Sequence, residues 1–285
     1  MVNEFKANTL RIENNELMPI PKIEVRREKG VELLVGFLAS QKQPPEDNDE
    51  AMEWIALTYT HPEWKEKVLN KIKKDKSFIK NPEELYEKTI NSLKEYEKSS
   101  SSIDLSEEVK KRKEMLPKYK EQILNSIEYF RPNIKTSDIK EVVIIPCDKL
   151  LSRVETGRGI DMGNTNFIMS HTENPDNFDH EFLHGFINPI TEKFTEYFES
   201  EEQRKKIFEF TNGGIEGYGN YPVSVLNEEI IQTYNIHIKK SRLIVKNELR
   251  KRLISFYKVY ENSKKADKSL SFEKYFSDNY KKILY

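Results

Sequence analysis

The residues best suited to chemistry are two histidines and a glutamate at positions 180–184, in the order His-Glu-Phe-Leu-His. On a helix, His180 and His184 project from the same face one turn apart, close enough to bind one metal ion. Glu181 is rotated from them by about a hundred degrees, beside such a metal and not on it. A general base at that position can take a proton from a metal-bound water. With five histidines in the chain, chance would produce the pattern about 0.01 times.

The sequence around the motif predicts a buried helix over about 175–188. The segment 174–176, Asn-Pro-Asp, is a helix start, and no charged residue falls at 182, 183 or 185. The apolar residues that would pack around the motif are Phe178, Phe182, Leu183, Phe186 and Ile187. The alternative is a buried helix whose two histidines are satisfied by hydrogen bonds within a core.

A catalytic zinc site needs three protein ligands and an open fourth position. The extended motif H-E-x-x-H-x-x-G-x-x-H is absent, because Ile187 and Ile190 occupy its glycine and third-histidine positions. The third ligand must therefore come from farther along the chain. Glu228 and Glu229 lie on a later predicted helix, the first of them 228 − 184 = 44 positions beyond His184. Two adjacent acids cannot both face one metal, because they lie on different sides of a helix. Their apolar neighbours do not separate them, so either glutamate is a candidate from the residues alone.

The combination of this motif with a distant Asn-Glu pair resembles the gluzincin metallopeptidases. In that family the glutamate directly after the asparagine is the third zinc ligand, and the resemblance implies that role for Glu228. More narrowly, the segment HEFLHGFINP at 180–189 resembles a family of uncharacterised bacterial gluzincin-like proteins, a domain of unknown function. The resemblance extends upstream to the helices around His61 and downstream to 228–233. It implies a zincin-like fold and zinc-dependent peptide cleavage.

One position departs from the gluzincin pattern. Gluzincins often carry an acid four residues after the third ligand, where it holds a metal-bound histidine, but this chain has Gln232. A glutamine can accept a hydrogen bond but cannot raise the basicity of a ligand as a carboxylate does. We therefore expect lower zinc affinity or activity than with an acid at this position.

A zincin site also needs a group that stabilises the oxyanion of the tetrahedral intermediate. Tyr218 and Tyr221 lie in the glycine-rich segment 212–222, just before the predicted helix of Glu228. Related enzymes place a tyrosine or histidine there, so both tyrosines are predicted to be catalytic. The alternative is that each only packs the loop.

The segment 164–170 is a candidate substrate strand. In zincins an edge strand beside the active-site helix binds an extended peptide by adding a strand, and the alternative here is an ordinary internal strand. Other chemically active side chains are predicted to be structural: His61 as a capping or packing residue, His237 as a surface residue and Cys147 as a buried thiol.

The predicted elements divide the chain at about residue 135. Residues 1–25 are predicted to be an extended segment, with a candidate strand around 23–26. Helical spacing begins at Gly30 and continues in successive helices to about residue 130, with an interruption expected at Pro117. Residues 136–285 contain a β-rich stretch at about 140–171, followed by helices at about 175–188, 190–211, 223–238, 240–262 and 271–282. We predict an α+β, mainly helical protein. A helical N-terminal region (1–135) would precede a zincin-like catalytic region with a small sheet (136–285).

The composition excludes several classes of protein. Its 47 Lys and Arg nearly balance 48 Asp and Glu over 285 residues, which argues against a nucleic-acid binder. No apolar stretch approaches the roughly 18 residues of a membrane span. The single cysteine excludes an internal disulfide framework. No signal peptide is visible, so we expect a cytoplasmic location, or secretion if a signal has been removed.

The sequence therefore predicts zinc-dependent hydrolysis of a peptide or protein substrate. His180, His184 and Glu228 would bind zinc, and Glu181 would carry a proton from water to the leaving amine. The rival is a zinc-stabilised binding or scaffold protein without catalysis. Glu181 argues against it, because a structural site needs no carboxylate beside its ligands. A metal-free helical interaction module is a third interpretation. Neither a particular substrate nor an oligomeric state follows from the residues.

Overall fold

The fold is known from a computed structural model, which describes most of the chain. The described residues are 9–11, 17–19, 21–41, 49–76, 79–99, 104–130, 139–147, 158–162, 164–170, 174–213, 221–237 and 247–285. The strands are β1 (Thr9–Arg11), β2 (Leu17–Pro19), β3 (Lys22–Val25), β4 (Glu141–Pro146), β5 (Arg158–Met162) and β6 (Thr165–Ser170). The α-helices are α1 (Lys29–Gln41), α2 (Asp49–Leu57), α3 (Lys65–Asp75), α4 (Pro82–Ser99), α5 (Ser106–Phe130), α6 (Pro175–Glu192), α7 (Thr195–Phe198), α8 (Glu201–Phe210), α9 (Pro222–His237), α10 (Glu248–Ala266) and α11 (Phe272–Asn279). Short 3-10 helices cover Pro62–Trp64 and Tyr280–Ile283.

The chain folds into two compact units. The sheet unit comprises residues 21–121 and 139–178, and the C-terminal unit comprises residues 1–20, 122–138 and 179–285. The division falls within α5 and within α6. Both units combine residues from before and after position 135, and the role of 136–285 as a catalytic region stays a prediction.

The sheet unit is built on a mixed four-stranded sheet in the order β3-β4-β6-β5. β4 is parallel to β3 and β6, and β5 runs antiparallel to β6. β6 is buried along its whole length, and β4 is buried at every residue after Glu141. A continuous apolar run such as 142–145 is typical of a strand covered on both faces. The small sheet among many helices confirms the predicted α+β, mainly helical class.

The predicted edge strand is wrong. β6 has β4 on one side and β5 on the other, so its backbone donors and acceptors are already paired along the sheet. Asn164, at the start of the predicted segment, accepts from the backbone N–H groups of Lys140 and Glu141. Adding a peptide strand requires an unpaired edge, and an internal strand offers none.

Helices α1, α2 and α4 supply much of the apolar core of the sheet unit. Val31, Leu34, Ile55 and Leu93 are fully buried in it. Gly30 allows α1 to approach α2 closely, because a Cβ atom there would lie 1.8 Å from the carbonyl oxygen of Ala56.

Two helices continue through internal prolines, and one of these, Pro117, is where an interruption is predicted. α5 runs unbroken across Pro117, and α6 continues through Pro189 to Glu192. A proline inside a helix removes one hydrogen bond and introduces strain. Apolar burial compensates for it: Ile123 and Ile127 of α5 and Ile187 and Ile190 of α6 are all buried. The interruption predicted at Pro117 is therefore wrong.

The C-terminal unit has a core rich in aromatic rings. Five aromatic residues of α9 to α11 in this core are at most 1% exposed: Tyr234, Tyr257, Tyr260, Phe272 and Phe276. Tyr257 donates to the carbonyl oxygen of Ile230, 3.0 Å away, which ties α10 to α9. The helix predicted over 190–211 is instead the end of α6 followed by α7 and α8, with turns between them. In the described part of the chain, no helix has both the length and the apolar character needed to cross a membrane.

Candidate metal centre

His180 and His184 lie on one face of α6, as their spacing predicts. Their Nε2 atoms are 3.2 Å apart, and their ring planes are inclined at 78°. Both side chains are about four-fifths buried, with 18% and 19% of their area exposed. The histidine pair therefore aims two ring nitrogens at a common point in a partly enclosed site.

Glu228 completes a triangle of ligand atoms from α9. Its Oε2 atom lies 3.4 Å from the Nε2 atom of each histidine, and the residue is 4% exposed. A tetrahedral zinc ion with ligands at about 2.0–2.1 Å holds its ligand atoms about 3.3–3.4 Å apart. The three sides of 3.2, 3.4 and 3.4 Å match that separation. Among the described residues, these three form a group that could hold a metal ion.

The adjacent glutamate, Glu229, has a different role. Arg250 donates to both of its carboxylate oxygens, at 2.6 and 3.0 Å, and Asn247 Nδ2 donates to Oε1 at 2.7 Å. Glu229 is 1% exposed, and its charge is compensated by a fork-shaped guanidinium. Of the two glutamates that the residues alone left open, Glu228 faces the histidines and Glu229 faces Arg250.

A side chain that the sequence analysis missed orients His184. Asn188 Oδ1 lies 3.3 Å from His184 Nδ1. A proton on Nδ1 would donate to this oxygen, and the lone pair of Nε2 would then face the site. Such outer hydrogen bonds fix the tautomer and the orientation of metal-binding histidines. Asn188 stands four residues after His184, and this helical spacing is the signal that would have identified it.

A second missed contact places α9 against α6. The Thr191 hydroxyl donates to Asn227 Oδ1, and both side chains are buried, at 0% and 6% exposed. Asn227 directly precedes Glu228, so this hydrogen bond fixes the position of α9 beside the residue that faces the histidines.

Gln232 does not hold a histidine in the described contacts. Its Nε2 atom donates to Glu228 Oε1, and its Oε1 atom accepts from Arg250 Nη2. It thus connects Glu228 to the guanidinium that binds Glu229. In the gluzincin pattern this position carries an acid that binds a histidine. In this chain the residue at that position contacts Glu228 instead.

Electrostatics favour an ionised Glu228. Burial alone raises the pKa of its carboxyl group, but the charge and hydrogen bonds of His180 and His184 outweigh burial and hold the pKa well below its ordinary value. The carboxylate is therefore a charged ligand atom facing two imidazoles, a combination of nitrogen and oxygen donors that suits zinc.

The remaining predicted residues lie in different positions. Glu181 is on α6 next to His180 and is 9% exposed. Tyr221 directly precedes α9 and is 41% exposed, while Tyr218 lies outside the described residues. The predicted catalytic roles of Glu181 and both tyrosines stay predictions.

Two histidines and the cysteine are not part of this group. His237 is 3.5 Å from Glu261 at the end of α9. It is about four-fifths buried, with 20% of its side chain exposed, and so is more enclosed than the surface position predicted. His61 precedes the 3-10 helix and stacks on Trp64 with ring centroids 4.1 Å apart. Cys147 is fully buried with its thiol 3.5 Å from the Ser170 carbonyl oxygen.

Comparison of the chain with protein-family models, with curated proteins and with solved structures finds no match. Function must therefore be inferred from the geometry of the His180, His184 and Glu228 group and from the residues that hold it.

Proposed function

We propose that this protein is a zinc-dependent peptidase. The observation that carries the proposal is the triangle formed by two imidazole nitrogens and one carboxylate oxygen, with sides that suit tetrahedral zinc. The three ligands found among the described residues would leave one position for water or substrate, as in catalytic zinc sites. A structural site is normally closed by a fourth protein ligand.

The ligand set fits the metal in chemistry as well as in distance. His180, His184 and Glu228 would hold the ion, and Asn188 would keep His184 in the ligating tautomer. A bound zinc ion supplies a Lewis acid that polarises a carbonyl group and increases the acidity of water.

Glu181 supplies the acid–base chemistry in this proposal. It follows His180 directly on α6, so its side chain leaves the helix beside the ligands. Its carboxylate would accept a proton from the attacking water and donate that proton to the leaving amine. Its burial, at 9% exposed, limits competition from bulk water for the proton.

Metal content tests the first half of the proposal. Purified wild-type protein equilibrated with zinc and then desalted is expected to retain about one zinc per chain by elemental analysis, as one three-ligand site implies. His180→Ala should retain almost none. His237→Ala, which removes a mostly buried histidine from the same helix as Glu228, is the matched control and should bind zinc like wild type. Zinc retention that is absent in wild type, or unchanged by His180→Ala, would refute the site.

Peptide cleavage tests the second half. The zinc-loaded protein is incubated with a peptide library, and products are identified by mass spectrometry. Glu181→Gln is expected to reduce turnover by about 10²–10⁴-fold while zinc content is retained. Glu192→Gln makes the same change at an exposed position of α6 and should leave turnover intact. A zinc-loaded wild type without turnover above the Glu181→Gln background would support the scaffold alternative.

A further inference from the structure

The strongest feature outside the three ligands is the chain of side chains behind Glu228. Gln232 donates to Glu228 Oε1 and accepts from Arg250. Arg250 in turn binds both oxygens of Glu229. Gln232 and Arg250 in this way connect the carboxylates of Glu228 and Glu229 by hydrogen bonds, although these two adjacent residues face different partners.

The contacts dictate the orientation of the Gln232 amide. A guanidinium has only donors and an ionised carboxylate has only acceptors. The amide oxygen must therefore face Arg250, and the amide nitrogen must face Glu228. Reversing the amide would oppose donor to donor and acceptor to acceptor. Hydrogen bonds in such a chain also polarise one another, so Arg250 strengthens the donation from Gln232 to Glu228.

This arrangement gives the two oxygens of Glu228 different tasks. Oε1 is engaged by Gln232, and Oε2 is 3.4 Å from both His180 and His184. Oε2 is thereby the oxygen for which contacts to the histidine pair are described, while Oε1 accepts from Gln232. A carboxylate free to turn could offer both oxygens to a metal and occupy an additional coordination position.

We propose that Gln232, held by Arg250, is a positioning residue that makes Glu228 a one-oxygen ligand and so preserves an open coordination position. The inference rests on the proposed function, because it assumes that the three-residue group binds a metal. It also assigns a reason to the glutamine: this position must donate to Glu228, which an ionised acid cannot do.

The test measures metal binding and coordination in place of activity. Zinc affinity is measured by competition with a chromogenic chelator, and cobalt(II) is substituted for zinc to record its visible absorption. Gln232→Leu is expected to weaken zinc binding by about 10–100-fold, the usual cost of losing an outer hydrogen bond to a ligand. Its cobalt spectrum should lose intensity, because coordination beyond four ligands weakens the visible bands.

Gln232→Glu is the more selective variant. It preserves the size of the side chain and can still pair with Arg250, but its carboxylate cannot donate to Glu228. We expect a loss of zinc affinity at least as large as that of Gln232→Leu. A purely space-filling role for Gln232 predicts instead that Gln232→Glu binds zinc like wild type.

The matched control is Gln203→Leu. Gln203 lies in the same unit as Gln232 and is the more buried of the two, at 4% exposed, but it donates to the Tyr285 hydroxyl. This variant should leave zinc affinity and the cobalt spectrum unchanged. Unfolding by urea is measured for all variants, so that a loss of folded protein is not counted as a loss of affinity.

The outcomes separate the two proposals. A wild type that does not bind zinc would refute the proposed function. A wild type that binds zinc, with unchanged affinity and cobalt spectrum in Gln232→Leu and Gln232→Glu, would refute only the positioning role. X-ray absorption of wild-type zinc protein tests the role without any variant: coordination by both oxygens of Glu228 would overturn it.

Discussion

Two buried glutamates in different units each lie 3.4 Å from a histidine nitrogen, but their surroundings differ. In the sheet unit, Glu28 is 5% exposed and its Oε2 atom is 3.4 Å from His61 Nε2. Arg26 donates to its other oxygen at 2.7 Å. In the C-terminal unit, Glu228 is 4% exposed, and its Oε2 atom faces two imidazoles.

The difference shows what separates an ion pair from a candidate metal site. Arg26 cannot lose its proton under ordinary conditions, so a permanent cation compensates the charge of Glu28. At Glu228, in contrast, two imidazole nitrogens and one carboxylate oxygen converge within bonding distance of one ion position. A buried His–Glu contact alone is therefore not a metal signal, whereas convergence of several such atoms is. Four predictions probe this contrast, from the largest expected effect to the smallest.

The first prediction concerns Glu229, the residue of the C-terminal unit that most resembles Glu28. Arg250→Leu would leave Glu229 charged and buried, and breaking such a pair costs about 3–5 kcal/mol in the free energy of unfolding. Urea denaturation of the metal-free protein measures this change. Arg252→Leu, on the same helix and 30% exposed, should cost much less. Equal effects of the two substitutions would contradict the assigned ion pair.

The second prediction separates the two histidine sites by their response to zinc. Free zinc at a hundred times its dissociation constant should increase the stability of wild type by about 2.7 kcal/mol, measured by urea denaturation. His61→Ala should keep this increase, and His180→Ala should lose it. If His61→Ala lost the response and His180→Ala kept it, the contrast between the sites would be reversed.

The third prediction concerns the hydrogen bond that orients His184. Asn188→Ala is expected to weaken zinc binding by about 10–100-fold, since it frees the ring to rotate or change tautomer. Competition with a chelator measures the dissociation constant. Asn279→Ala removes an asparagine that donates to the carbonyl oxygen of Tyr275, and it should bind zinc like wild type. An unchanged dissociation constant for Asn188→Ala would remove Asn188 from the site.

The fourth and smallest effect is expected at His61. Its ring stacks on Trp64, and aromatic contacts of this kind contribute about 0.5–1.5 kcal/mol. His61→Ala should lower the free energy of unfolding by about that amount and leave zinc affinity unchanged. A loss of zinc affinity would show that the sheet unit also contributes to metal binding.

The spacing of the motif predicted where His180 and His184 lie on one helix. It did not predict which glutamate of a distant helix faces them. The positions of His180 and His184 follow from helical geometry, because both residues share one helix. The choice between Glu228 and Glu229 could not be made from their apolar neighbours. It depends on Arg250 and Asn247, which come from another helix and appear only when α10 packs against α9.

The errors have equally physical causes. The segment 164–170 forms an internal strand although it begins with three polar residues, because strand order is not encoded in local alternation. The prediction of a break at Pro117 uses only local backbone geometry. Tertiary burial of the helix outweighs the loss of one helical hydrogen bond. The gluzincin pattern assigns a histidine-binding residue to position 232, whereas Gln232 contacts Glu228 on its own helix and Arg250 on α10; the expected effect on zinc affinity stays a prediction.

The pairing of β3 with β4 has a consequence for the order of events during synthesis. Lys22 is the partner of Glu141 in the sheet, and the two positions are 119 residues apart. At about 5–20 residues per second, the ribosome needs roughly 6–24 s to make that length of chain. During this interval β3 has no β4 to pair with, and an unpaired strand invites aggregation. β3 is short, and Lys22, Glu24 and Arg26 place charges on it or directly beside it. Short length and charge both reduce the pairing of an exposed strand with another chain.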